Sequence, residues 1–126
     1  MSIQIGDKLP HFTAVKQDGT AFDSNSIQNK PVVIYFYPKD NTPGCTTQAC
    51  SFRDAYQDFQ DLGAEVIGVS GDSVSSHQNF QQKHKLPFVL LSDSDRKLRK
   101  LFGVPTALFG LIPGRVTYVF NASGKA

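Results

Sequence analysis

The run Val32-Val33-Ile34-Tyr35-Phe36-Tyr37, closed by Pro38, constrains the fold more than any other stretch. A strand with one wet face alternates apolar and polar residues. An unbroken β-branched and aromatic run predicts instead a central strand covered on both faces. Such a strand needs a layer on either side. The 126 residues of the chain supply one unit of that kind, a single domain over residues 1–126, with no second core.

The punctuation around this strand is regular. Residues 12–15 and 20–22 flank Asp18-Gly19, a hairpin-turn signal. Thr46 to Leu62 reads as a helix, because Phe52, Tyr56, Phe59 and Leu62 recur at three- and four-residue steps, and Gly63 suits its end. Residues 65–70 form a second strand. Ser73 is the expected cap of a helix running from Val74 to about His84, with basic residues at its negative end. Residues 88–91 form a third strand. Asp93 or Ser94 caps a short helix with Leu98, Leu101 and Phe102 on its apolar side, closed by Gly103, and residues 116–120 are β-rich. Strands therefore alternate with helices after residue 30. The class is α/β: a mixed, mainly parallel central sheet flanked by helices, with an N-terminal β-hairpin. Size and order fit a thioredoxin-like fold, and pattern alone also admits a small flavodoxin-like one.

With 40% hydrophobic residues, ten Phe and four Tyr, the composition excludes disorder, collagen-like repeats and a coiled coil. A net charge of +2 gives no ground for nucleic-acid binding or membrane docking. The six-residue apolar run is far short of a membrane span. The opening Met1-Ser2-Ile3-Gln4-Ile5 lacks the basic and apolar regions of a secretory signal, so a cytoplasmic home is expected. The stroma of an organelle stays open for an imported, processed protein. His11, His77 and His84 read as surface or capping residues. Arg96, Lys97, Arg99 and Lys100 read as the solvated face of a helix.

Chemistry is concentrated between residues 37 and 50. The two cysteines, Cys45 and Cys50, are too few for a structural zinc or iron–sulfur centre, and no metal or cofactor is expected. Thr42 suits an N-cap and Pro43 the first helical position, which puts Cys45 at the third. There a sulfur lies near unpaired backbone N–H groups and the positive end of the helix dipole, both of which favour thiolate over thiol. A free cysteine titrates near about 8.5, and helix N-termini lower that value. The alternative for Cys45, a small buried hydrophobe, is the commoner fate of a cysteine.

Cys50 lies five residues on. In an ideal helix the two Cα atoms stand roughly 8–9 Å apart, beyond the ~7 Å that a disulfide tolerates. If the two sulfurs pair, the first turns of the helix must unwind. Residue physics leaves Cys50 evenly balanced between a resolving thiol and a core position.

Pro38-x-x-x-Thr42-x-x-Cys45, Thr42-Pro43-Gly44-Cys45-Thr46 and Cys50-Ser51-Phe52-Arg53-Asp54 resemble the Q-type peroxiredoxins, also called bacterioferritin comigratory proteins. Tyr35 to Pro38, residues 66–70 and 90–93, and Pro113 to Val119 extend the likeness to residue 124. The resemblance implies a peroxiredoxin variant of the thioredoxin-like fold and a thiol-dependent peroxidase acting on hydrogen peroxide and organic hydroperoxides. It implies that Cys45 is the peroxidatic cysteine, which becomes sulfenic acid. Thr42 would orient peroxide and thiolate, Pro38 would shield the site, and Arg115 would stabilise thiolate and transition state. Cys50 would be the resolving cysteine that forms an intramolecular disulfide with Cys45, recycled by thioredoxin or a similar dithiol reductant. No nucleic acid or membrane partner is implied, and a monomer is expected. Relative to the family, a C-terminal strand and helix after Asn121-Ala122-Ser123-Gly124 are expected to be missing. Two other readings of the same fold stand beside the peroxidase. They are a dithiol–disulfide oxidoreductase, against which the lack of C-x-x-C counts, and a redox-switched binding module.

Overall fold

The computed structural model describes residues 7–27, 29–40, 42–104, 106–107, 112–113, 116–122 and 124. The elements run in the order β1 (Thr13–Lys16), β2 (Ala21–Asp23), a 3-10 turn (Ser24–Ile27), β3 (Val32–Phe36), α1 (Pro43–Asp54), α2 (Tyr56–Asp61), β4 (Glu65–Ser70), α3 (Val74–His84), β5 (Val89–Ser92), α4 (Lys97–Phe102), β6 (Thr106–Ala107), β7 (Ile112–Pro113) and β8 (Val116–Phe120). Six strands form one mixed sheet in the order β2-β1-β5-β4-β3-β8, and β6 pairs with β7 in a small separate ladder. β3, β4 and β5 run parallel. β8 on one side and β1 on the other are antiparallel to them.

All five residues of β3 are buried, as the unbroken apolar run requires. Its side chains alternate between two cores. Val32, Ile34 and Phe36 join Phe12, Phe22, Leu91, Leu98, Phe102 and Phe120 on one face. Val33, Tyr35 and Tyr37 join Cys45, Ala49, Phe80, Leu86 and Leu90 on the other. The strand period of two thus delivers successive residues to opposite layers, and Cys45 belongs to the second layer.

Gly68 of β4 lies opposite Tyr35 in register. A Cβ there would come 2.9 Å from the Tyr35 ring and hydroxyl and 2.9 Å from Leu90 Cδ2. The absent side chain makes room for the tyrosine.

Three local expectations change. The helix expected from Thr46 to Leu62 is two helices broken at Ala55, whose ψ of 1° departs from helical values. Phe52, Tyr56 and Phe59 still pack against the second core, so the apolar spacing survives the break. Leu62 does not join them and is exposed. The basic cluster is not uniformly solvated: Arg99 is buried, its guanidinium 5.6 Å from the Phe36 ring centre and within 3.4 Å of the Tyr37 carbonyl. Arg99 is the third residue of α4 and turns toward the sheet with Leu98 and Phe102. The Asp93 carboxylate accepts the backbone N–H groups of Leu98 and Arg99 at 2.8 and 2.9 Å, capping α4 from four residues upstream of its first residue. Gly19, Gly63 and Gly103 adopt the positive φ that their turn and helix-end positions need. Ser73 caps α3 through the Ser76 N–H.

Candidate active site

The buried strand β3 ends at Phe36. Pro38 follows on a short loop, and Thr42 admits the chain to α1 with an extended backbone and Pro43 as the first helical residue. The Thr42 carbonyl accepts the first helical bond, from the Thr46 N–H at 2.8 Å. Thr42 therefore holds the N-cap position, but its hydroxyl does not cap. It donates instead to the Lys39 carbonyl at 2.9 Å, which ties the loop to itself.

Cys45 is the third residue of α1, as the spacing requires, and only 1% exposed. It packs in the second core with Tyr35, Tyr37 and Ala49. Pro38 is half-buried, beside a shallow cleft lined by Lys39, Gly71, Asp72, Arg96 and Arg99. Strand end, loop and first helical turn thus gather Pro38, Thr42 and Cys45 on one continuous segment. The fifth expected residue, Arg115, lies outside the described residues.

Cys50 sits in the same unbroken helix, half-buried, and both cysteines are reduced thiols. The intact helix holds their Cα atoms roughly 8–9 Å apart. Cys50 Sγ lies 3.9 Å from Nδ1 of His84, the last residue of α3. Arg53, three residues further along α1, donates through Nη1 to the His84 carbonyl at 2.8 Å and through Nε to Asp54 at 3.0 Å. The Asp54 bond, with a smaller contribution from the nearby Cys50, raises the Arg53 pKa. Phe52 stacks on Tyr35 with ring centres 4.7 Å apart. The back half of α1 is therefore docked on both α3 and β3.

Beneath the loop lies a polar network that sequence reasoning missed. His77, expected at the surface, is fully buried. Its Nδ1 is 2.7 Å from Asp40 Oδ2 and its Nε2 is 2.9 Å from the Leu91 carbonyl. The Leu91 carbonyl only accepts, so Nε2 carries a proton, while Nδ1 and the Asp40 carboxyl group share a hydrogen bond. Tyr37 donates its hydroxyl to Asp40 Oδ1 at 2.6 Å, and Ser76 donates to Oδ2 at 2.9 Å. The Asp40 backbone N–H donates to Asp72 Oδ2 at 2.8 Å, and that carboxylate also takes the Ser70 hydroxyl at 2.7 Å. The residue midway between Pro38 and Thr42 is thereby fixed to the start of α3. The sequence did hold a signal. Phe80 is a core residue of α3, and position 77 lies one turn before it on the same face.

Burial, then the Asp40 charge, pushes the Tyr37 hydroxyl up, and it stays a donor. Burial likewise raises Tyr35, followed by the charges of Asp40, Cys45 and Cys50. Among the described residues, Asp40, Asp72 and His77 form the one group whose atoms lie close enough to share a metal ion. Those atoms are engaged in the hydrogen bonds just given.

A cysteine in the first turn of a helix, fed by a doubly covered strand of a mixed sheet, defines a thiol protein of the thioredoxin-like class. The pattern of the AhpC/TSA family matches residues 5–126, and the chain belongs to that family. Peroxiredoxin Q, chloroplastic, from Oryza sativa subsp. japonica is 56% identical over 119 residues, which are 94% of this chain and 55% of the relative. The Arabidopsis thaliana protein of the same name is 54% identical over the same share of the chain. The chain spans about half the length of the curated relatives it matches. Among solved structures, a cysteine-to-serine mutant of PrxQ from Xylella fastidiosa superposes with a TM-score of 0.91 at 34% identity, over 99% of this chain and 83% of that one. Peroxidoxin BcpB from Mycobacterium tuberculosis gives 0.88 at 33% identity, over 98% and 82%.

Proposed function

We propose that the chain carries the catalytic thiols of a peroxidase that reduces hydrogen peroxide and organic hydroperoxides. The observation that carries this reading is Cys45 at the third position of α1, directly behind the Pro38 and Thr42 of its motif. The Cys45 thiolate attacks a peroxide oxygen, the O–O bond breaks, and the departing oxygen leaves as water or an alcohol. Cys45 becomes sulfenic acid. Helix N-terminal N–H groups, the Thr42 hydroxyl once it turns from the Lys39 carbonyl, and the Arg115 guanidinium stabilise the charge that develops, and Pro38 limits water access. Cys50 then attacks the sulfenic sulfur, and a dithiol reductant such as thioredoxin restores both thiols. The chloroplast named for the plant relatives favours an organellar stroma over the cytoplasm as the compartment.

One equivalent of hydrogen peroxide, followed by mass spectrometry of both sulfurs, tests the scheme. The expected product is one intramolecular disulfide. Cys45→Ser abolishes peroxide consumption. Cys50→Ser gives one turnover, leaves sulfenic acid on Cys45 and blocks recycling through thioredoxin. Peroxide consumption by Cys45→Ser at the parent rate overturns the reading.

A further inference from the structure

The geometry points to His84 as the base that activates Cys50, a catalytic residue for the disulfide-forming step. This inference rests on the resolving role of Cys50 proposed above. A thiol is a poor nucleophile until it loses its proton. His84 Nδ1 lies 3.9 Å from Cys50 Sγ, within reach of an S–H donor. With the proton of the neutral ring on Nε2, Nδ1 is free to accept it.

The step balances. The S–H bond of Cys50 breaks and its proton passes to Nδ1. The sulfur lone pair attacks the sulfenic sulfur of Cys45, the S–S bond forms and the S–O bond breaks. The departing hydroxide takes the proton back from the imidazolium and leaves as water. Cys50 is oxidised, Cys45 is reduced from sulfenic acid to disulfide, and His84 ends as it began.

On this proposal the contact is kept while the turns around Cys45 unwind to bring the two sulfurs together. The segment behind Cys50 is held by the Arg53 bond to the His84 carbonyl and by the Phe52–Tyr35 stack. The docking that retains α1 is therefore made to the same residue that supplies the base.

The neighbouring titratable and charged groups are few among the described residues. Cys45 and Arg53 come from α1, the latter paired with Asp54. The Tyr35 hydroxyl comes from β3 and is kept protonated by burial. Phe80 packs edge-on to the His84 ring at 5.2 Å and adds no charge. Lys83 and Lys85 flank His84 in the chain and are exposed. Arg53 is the nearby cation, its own pKa raised in part by Cys50, and His84 is the base within reach of the Cys50 proton.

The test follows the two steps separately by rapid quench with hydrogen peroxide, acid stop and mass spectrometry, in the parent, His84→Gln and Cys50→Ser proteins between pH 5 and 9. In the parent, the rate from sulfenic acid to disulfide rises through an inflection between about pH 5 and 8, where an imidazole changes charge. In His84→Gln the inflection moves up toward about 8.5, the value of a free thiol. At pH 7 the ratio of the disulfide-forming rate to the sulfenate-forming rate then falls about 10- to 30-fold. A slower step with an unmoved inflection means a structural contact only and overturns the proposal. So does an unchanged rate. If the parent forms no Cys45–Cys50 disulfide and Cys50→Ser recycles normally, the resolving role itself fails. That result is distinct from a disulfide that forms without help from His84.

Discussion

His77 and Asp40 form a fully enclosed hydrogen-bonded pair, 2.7 Å from Nδ1 to carboxyl oxygen, between the start of α3 and the loop that carries Thr42. Every acceptor position on the carboxylate that faces a donor is used, by Tyr37, Ser76 and His77. Removing one partner leaves the other's buried polar group short of a hydrogen bond. His77→Leu is expected to lower unfolding free energy by about 1–3 kcal/mol, read from urea denaturation. Asp40→Asn keeps the shape and one acceptor and should cost less. A loss under about 1 kcal/mol for His77→Leu would mean that water reaches the site and screens it.

Gly68 is kept small by the tyrosine across the ladder. Gly68→Ala places a methyl 2.9 Å from the Tyr35 ring and from Leu90. The expected cost is about 1–3 kcal/mol. Tyr35→Phe removes one of the three clashing atoms, so the same substitution should cost less in that background. A double-mutant cycle in thermal unfolding measures the coupling, and strict additivity would show that strain is relieved elsewhere.

Asp93 gives stability a pH dependence of its own. Burial is the largest influence on its carboxyl and raises its pKa, against the lowering effect of the Leu98 and Arg99 N–H bonds. The folded value thus lies above the unfolded one, near about 3.9, and the folded state holds the proton more tightly. The contribution is fully present below the unfolded value and is lost as pH rises through the folded one. Asp93→Asn cannot ionise and keeps an acceptor for one of the two N–H groups. Its stability relative to the parent should improve as pH rises from 3 to 7, in paired denaturant titrations. A pH-independent difference would contradict the sign.

What the sequence discloses follows from how local each signal is. The buried run of β3, the Ser73 cap of α3, the Gly103 that closes α4 and the placement of Cys45 are fixed by neighbours in the chain, and they are found where the pattern puts them. The break at Ala55 leaves the apolar spacing of Phe52, Tyr56 and Phe59 intact, so the pattern carries the face and not the bend. His77, His84 and Arg99 are polar residues whose partners come from Asp40, Cys50 and Tyr37, between 34 and 62 positions away. No local rule assigns such a pairing. Helical face outweighs residue type at both sites: position 77 shares the Phe80 face, and position 99 follows Leu98 toward the core.

On the proposed resolving role of Cys50, the turns of α1 that would open for disulfide formation are built from poor helix formers. Gly44, Cys45, Thr46 and Thr47 occupy the second to fifth positions of α1. Thr47 bonds its own hydroxyl to the Pro43 carbonyl at 2.9 Å, and Ser51 does the same to Thr47 at 3.0 Å, a habit that loosens helices. Thr47 is exposed, so its replacement leaves the core untouched. Thr47→Ala raises helix propensity by about 0.5 kcal/mol, which holds the closed form more tightly and slows sulfenic acid capture by about two- to threefold. The sulfenic acid then lives longer, and a second peroxide carries more of it to sulfinic acid. Quench-flow rates of disulfide formation and the sulfinic fraction after excess peroxide should move together. Faster capture, or sulfinic acid that stays level while capture slows, would show that unwinding of α1 does not limit the step.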